Sequence, residues 1–149
     1  MTFSDISRMN ILFMQSINTS YSYFPDSFKK TLKSQHNKSN ILRAYLSPRS
    51  GIILGLYQNI LQGYSIFRLD SEEPSTLLWL YVATGARGSG LGSRMVEATH
   101  NQVRDYGSSG IRLVTHDQAD FFSNHGYVQL RRIPGLLAGV DMTSMELSW

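Results

Sequence analysis

The 149-residue sequence predicts an α/β (α+β) fold: helices over a mixed, mostly antiparallel central sheet that holds one parallel strand pair. Three observations lead there. Residues 77–83 (LLWLYVA) are an unbroken apolar run, as in a strand covered on both faces. A glycine-rich turn follows. Leu91, Met95, Thr99, Val103 and Tyr106 then recur on one face at close to the helical period, and Gly107 is a natural stop. Residues 111–115 (IRLVT) read as the next strand. Strand, helix and strand at this spacing form a parallel βαβ unit with a right-handed crossover.

The remaining elements follow in chain order. Ser4-Asp5 marks the start of a first helix, with Ile6, Met9, Phe13 and Ile17 at helical spacing. Only residues 1–3 precede it, so a strand before this helix is short or missing. Tyr21, Tyr23 and Phe24 form an aromatic loop, and Pro25-Asp26 starts a second helix over residues 26–35. Ser39-Asn40 caps a short helical turn over 41–46, broken by Pro48 and Gly51. Strands over 52–58 and 60–69 flank a hairpin turn at Asn59. Residues 70–76 are a polar loop before the central strand. Residues 128–132 and 140–149 close the chain as an antiparallel ribbon. About four helices thus flank the sheet.

Composition bounds the function. Apolar residues make up 42% and charged residues 17%, which describes a globular chain whose length suits one domain. There is no cysteine, which excludes disulfides, a thiolate zinc site and a cysteine nucleophile. The four histidines, at 36, 100, 116 and 125, lack metal-ligand spacing, so no metal is expected. The net charge of +3 is spread along the chain, which argues against nucleic-acid binding and suits a polyanionic cofactor. No cationic leader, signal peptide or apolar span of about 18 residues is present, so the expected location is cytoplasmic and away from membranes.

The turn between the central strand and helix carries the chemistry. Glycines admit a phosphate to bare backbone, and a helix N-terminus offers unpaired N–H groups and a partial positive charge. The two make a pyrophosphate cradle. The dinucleotide pattern G-x-G-x-x-G fails, because Ser93 stands at its third glycine, and no Gly-Lys-Ser/Thr follows for a P-loop. What fits is Arg87-Gly88-Ser89-Gly90-Leu91-Gly92, read as Arg-x-x-Gly-x-Gly. Preceded by Leu80-Tyr81-Val82, it resembles the acetyl-CoA motif of the GNAT superfamily of N-acetyltransferases. About thirty residues on, Phe121-Phe122 and Gly126-Tyr127 resemble that superfamily's second signature. The resemblance covers roughly residues 52–149.

The resemblance implies acetyl-CoA as cosubstrate and direct N-acetylation of an amine, on a small molecule or a protein. It places the cradle at Arg87 to Gly92 with Ser93, and the pantetheine arm along Tyr81, Val82 and Ala83, with an oxyanion donor at Val82 or a neighbour. Phe122 stands in the cofactor site where many members carry a proton-donating tyrosine. The central strand also lacks the carboxylate that many relatives place there. His116 and Asp117, just past the C-terminal end of the 111–115 strand, are the candidate catalytic pair, since imidazole titrates near neutral pH. Their structural alternative is a helix start capped by Asp117. Tyr21, Tyr23 and Phe24 either line the acceptor pocket or cap the core. Exposed aromatics leave room for a homodimer. The alternatives to an enzyme are an acyl-CoA-binding or sensor module without turnover, and a different nucleotide-binding α/β domain.

Overall fold

The first helix begins at a capping box two residues earlier than Ser4. Thr2 Oγ accepts from the Asp5 N–H at 3.2 Å, and the Asp5 carboxylate accepts from the Thr2 N–H at 2.6 Å. The Thr2 N–H thereby gains an acceptor, and the Asp5 N–H is shared between Thr2 Oγ and Thr2 O, the latter at 3.1 Å. The computed structural model describes all residues, Met1–Trp149.

Helix α1 (Phe3–Thr19) lays Ile6, Met9, Leu12, Phe13 and Ile17 against the sheet. Helix α2 spans Asp26–Gln35. Helix α3 runs over Lys38–Leu46, longer than the turn expected at 41–46. Asn37, and not Ser39-Asn40, is its cap: Asn37 Oδ1 accepts from the Asn40 N–H at 2.9 Å.

Six strands follow: β1 (Ser50–Tyr57), β2 (Ile60–Arg68), β3 (Ser75–Val82), β4 (Gly110–Thr115), β5 (Val128–Leu137) and β6 (Val140–Ser148). Their order in the sheet is β1-β2-β3-β4-β6-β5, and only β3 and β4 run parallel. No strand precedes α1. Gln58 and Asn59 both take positive φ, which matches the twist of the β1–β2 hairpin. Helix α4 (Leu91–Asp105) crosses from β3 to β4, and the short α5 (Ala119–Ser123) lies between β4 and β5.

The helices divide between the two faces. Helices α1 to α3 cover one, packing on Leu61, Tyr64, Trp79 and Tyr81. Helices α4 and α5 cover the other, where Phe67, Val96, Val103, Ile111, Phe122 and Met145 meet. Phe13, fully buried, stacks on His36 with ring centroids 4.2 Å apart. Phe13→Ala is expected to cost about 3–5 kcal/mol, read as a lower urea midpoint at unchanged slope.

Strand β3 departs from the expectation that both its faces are covered. Leu77 and Tyr81 are buried, but Leu78 is 55% exposed and Trp79, Leu80 and Val82 are half-buried. A register shift against β2 falls between Ile66 and Phe67. The uncovered residues face an opening in the sheet, where the apolar lining is left for something other than the chain itself.

Candidate active site

The opening arises because β3 and β4 pair only at Ser75↔Ile111 and Thr76↔Arg112. Beyond Thr76 the two strands part, and a cleft of about 990 Å³ runs between them. The edge of β3 is therefore unpaired from Leu77 on. In its antiparallel ladder with β2, the Ala83 N–H donates to Gln62 O at 2.7 Å. By alternation, the Val82 peptide turns toward the cleft. Val82 O does accept from Arg87 Nε there, at 3.1 Å.

After a single 3₁₀ turn (Thr84–Ala86), the chain enters α4 through Gly88 at φ +75° and Gly90 at φ +78°. A side chain at either position would be strained in this left-handed region. None of the N–H groups from Gly88 to Ser93 donates to a backbone acceptor; the first that does is Arg94, to Gly90 O at 3.1 Å. A run of main-chain donors at the positive end of a 15-residue helix is able to hold an anion. Phe121 packs beside Gly92, and His125 Nε2 bonds Ser93 Oγ at 3.1 Å, so α5 braces the start of α4.

Arg87 does not turn into this loop. Besides Val82 O, it donates through Nη2 to Ser20 Oγ at 2.7 Å, tying the end of α1 to the edge of β3.

At the far side of the cleft stand His116 and Asp117. His116 Nδ1 lies 3.0 Å from Asp141 O. A carbonyl only accepts, so Nδ1 carries the hydrogen, and in the neutral ring Nε2 keeps a free lone pair. Asp141 is itself fixed by Arg132 and by the Gly135 N–H, each at 2.9 Å, and these contacts hold its carboxyl below the usual range. The Tyr23 ring packs on the imidazole with centroids 4.7 Å apart. Asp117 does not cap α5; Gln118 occupies that position.

The cleft brings together most residues singled out from sequence: Tyr21, Tyr23 and Phe24, Tyr81 and Val82, the loop with Ser93, and His116, Asp117 and Phe122. Ala83 and Ser89 do not line it. Of the aromatic loop, Phe24 is buried in the α1–α3 core while Tyr23 is exposed, and both line the cleft. Burial pushes the Tyr21 phenol up to about 12. Tyr127 does not line the cleft; it packs in the core beneath α4, where its hydroxyl pairs with His100 Nε2 at 3.0 Å. Sequence reading missed His36 and Trp79, which also line the cleft. No local motif marks them; they arrive through packing of α2 and β3. No group of three or more His, Asp or Glu is placed to hold a metal.

A family model described as the acetyltransferase (GNAT) domain matches residues 49–129, more than half of the chain, and the protein belongs to this family. Solved structures share the fold. The PaiA N-acetyltransferase of Thermoplasma acidophilum, in complex with coenzyme A, superposes with TM-score 0.82 at 14% identity, covering 100% of this chain and 96% of that one. An aminoglycoside 6′-acetyltransferase type Ii gives 0.70 at 18% identity over 96% and 88%. The ribosomal-protein-S18-alanine N-acetyltransferase of Escherichia coli gives 0.62 at 14% over 75% and 76%. No curated protein matches the sequence.

Proposed function

We infer that the protein is an N-acetyltransferase that moves an acetyl group from acetyl-CoA directly to an amine. The observation that carries this reading is the juxtaposition of an unpaired strand edge and a run of free N–H groups in one cleft. Acetyl-CoA supplies a thioester carbonyl: the amine nitrogen forms the new C–N bond, the C–S bond breaks, and the proton lost by the amine balances the one gained by the CoA thiol.

The residues divide this work. Main-chain N–H groups of Gly88 to Ser93 hold the pyrophosphate. The β3 edge pairs with the pantetheine amides, and the Val82 N–H donates to the thioester oxygen, a role that strengthens as negative charge develops. His116 Nε2 takes the proton from the incoming ammonium, with its tautomer fixed by Asp141 O. Asp117 adds negative potential at the mouth. Phe122 is 6% exposed and keeps the reacting end dry, but it has no proton to give, so another group supplies the thiolate's proton.

His116→Gln tests the base. Loss of general-base catalysis is worth about 10²–10⁴-fold, so kcat/KM is expected to fall by at least about 100-fold while the melting-point shift with acetyl-CoA is kept. An unchanged kcat/KM would remove His116 from the mechanism and leave the cradle untouched.

A further inference from the structure

We propose that the acceptor is a small aromatic monoamine of the arylalkylamine class, and not a polycationic amine or a peptide. The inference rests on the amine-transfer reading above and concerns the half of the cleft that acetyl-CoA does not use.

That half lies on the α1–α3 face of the sheet. Leu80 and Val82 look toward α4, whereas Trp79 and Tyr81 look toward α1. The two substrates therefore approach the parted strands from opposite faces. On the acceptor side the walls are rings. Tyr21 lies against Trp79 at 5.2 Å and against Phe24 at 6.2 Å, and Phe24 meets Phe28 at 4.8 Å. His36 lies 4.6 Å from Trp79, and burial holds its imidazole down to about 4, so it is a neutral ring at physiological pH.

Charge decides against the other acceptors. Asp117 is the only carboxylate lining the whole cleft. A polyamine or aminoglycoside brings several ammonium groups and would find one counter-charge. A monoamine needs one, and aromatic faces add cation–π attraction for it while the reacting nitrogen is still protonated. The depth also fits. Trp79 stands three residues before Val82, roughly 10 Å along a strand, which suits an aryl ring joined to its amine by a short chain.

The experiment compares kcat/KM for phenethylamine, spermidine, kanamycin and a peptide with a free N-terminal phenylalanine, read as CoA release and acetylated product. Phenethylamine is expected to lead by at least about tenfold, the scale on which an apolar pocket discriminates. Trp79→Ala should erase that lead while leaving the melting-point shift with acetyl-CoA intact. Because Trp79 also packs in the core, Tyr23→Glu is the second variant. It adds a carboxylate at an exposed position on the mouth and should raise spermidine relative to phenethylamine. If spermidine, kanamycin or the peptide is the best acceptor, this inference is overturned and the transfer reading stands. If acetyl-CoA binds but no amine releases CoA, the transfer reading fails and this inference falls with it.

Discussion

Gly90→Asp is expected to abolish the stabilisation that acetyl-CoA confers on the wild-type protein. At about 100 times its dissociation constant a ligand adds roughly 2.7 kcal/mol, which raises the melting point of a domain this size by about 5–10 °C. The variant is expected to show no shift at the same concentration. Gly90 is the left-handed residue from which α4 starts, and its carbonyl accepts the first helical hydrogen bond. A carboxylate there sits against the phosphates it displaces; two unit charges about 4 Å apart repel by about 4 kcal/mol near a protein surface. Gly90→Ala separates the two causes. It carries the left-handed strain of about 1–2 kcal/mol without the charge, so it lowers the ligand-free melting point and keeps part of the shift. ATP and NAD serve as controls and are expected to give none. A Gly90→Asp variant that responds like the wild type would place the anion site elsewhere.

Acidification is expected to destabilise the protein well above the carboxylate range. Burial holds both His36 and His100 down to about 4, against an ordinary value of about 6.5. For His100 the charges of Arg104 and His125 add to the effect. Both histidines are neutral in the folded state, while the unfolded chain protonates them as pH falls through about 6.5. Stability is therefore complete above that value, is lost between about 6.5 and 4, and levels off below. At pH 5 the loss is about 2 kcal/mol for His36 and, after allowance for solvent screening, on the order of 1 kcal/mol for His100. Together they lower the melting point by about 10 °C between pH 7 and pH 5. His36→Phe keeps a ring on Phe13 and should remove the larger part of this slope. A melting point flat from pH 7 to pH 5 would mean that the two imidazoles are not buried as neutral groups.

The part of the fold that local pattern determines was legible. The apolar run, the glycine turn and the 3.6-residue period located β3, the loop and α4 to within a residue or two, because each is set by neighbours in sequence. Asn59 likewise marked the β1–β2 hairpin. The errors share a cause as well. Thr2 and Asn37 cap their helices through partners three residues on, and nearer polar residues, Ser4-Asp5 and Ser39-Asn40, offered equally good signals. The exposure of Leu78 depends on where β4 leaves β3, which no feature of β3 itself records.

The same division runs through the site. The cradle is contiguous, so its residues could be read together. The aromatic half of the cleft is assembled from α1, α2, the loop between them and β3, so His36 and Trp79 gave no sign of belonging to it. Arg87 lies in the motif, yet its guanidinium reaches Ser20, which is remote in sequence and near only once α1 has docked.

The most direct test of the central claim is amine-dependent release of CoA from acetyl-CoA, followed by thiol detection and by mass spectrometry of the acceptor. An N-acetyltransferase releases CoA only when an acceptor amine is present, and one acetyl group appears on that amine for each thiol formed. Acetyl-CoA binding that raises the melting point, with no amine-dependent thiol across the acceptor panel, would contradict the claim and leave a domain that holds the thioester without transferring it.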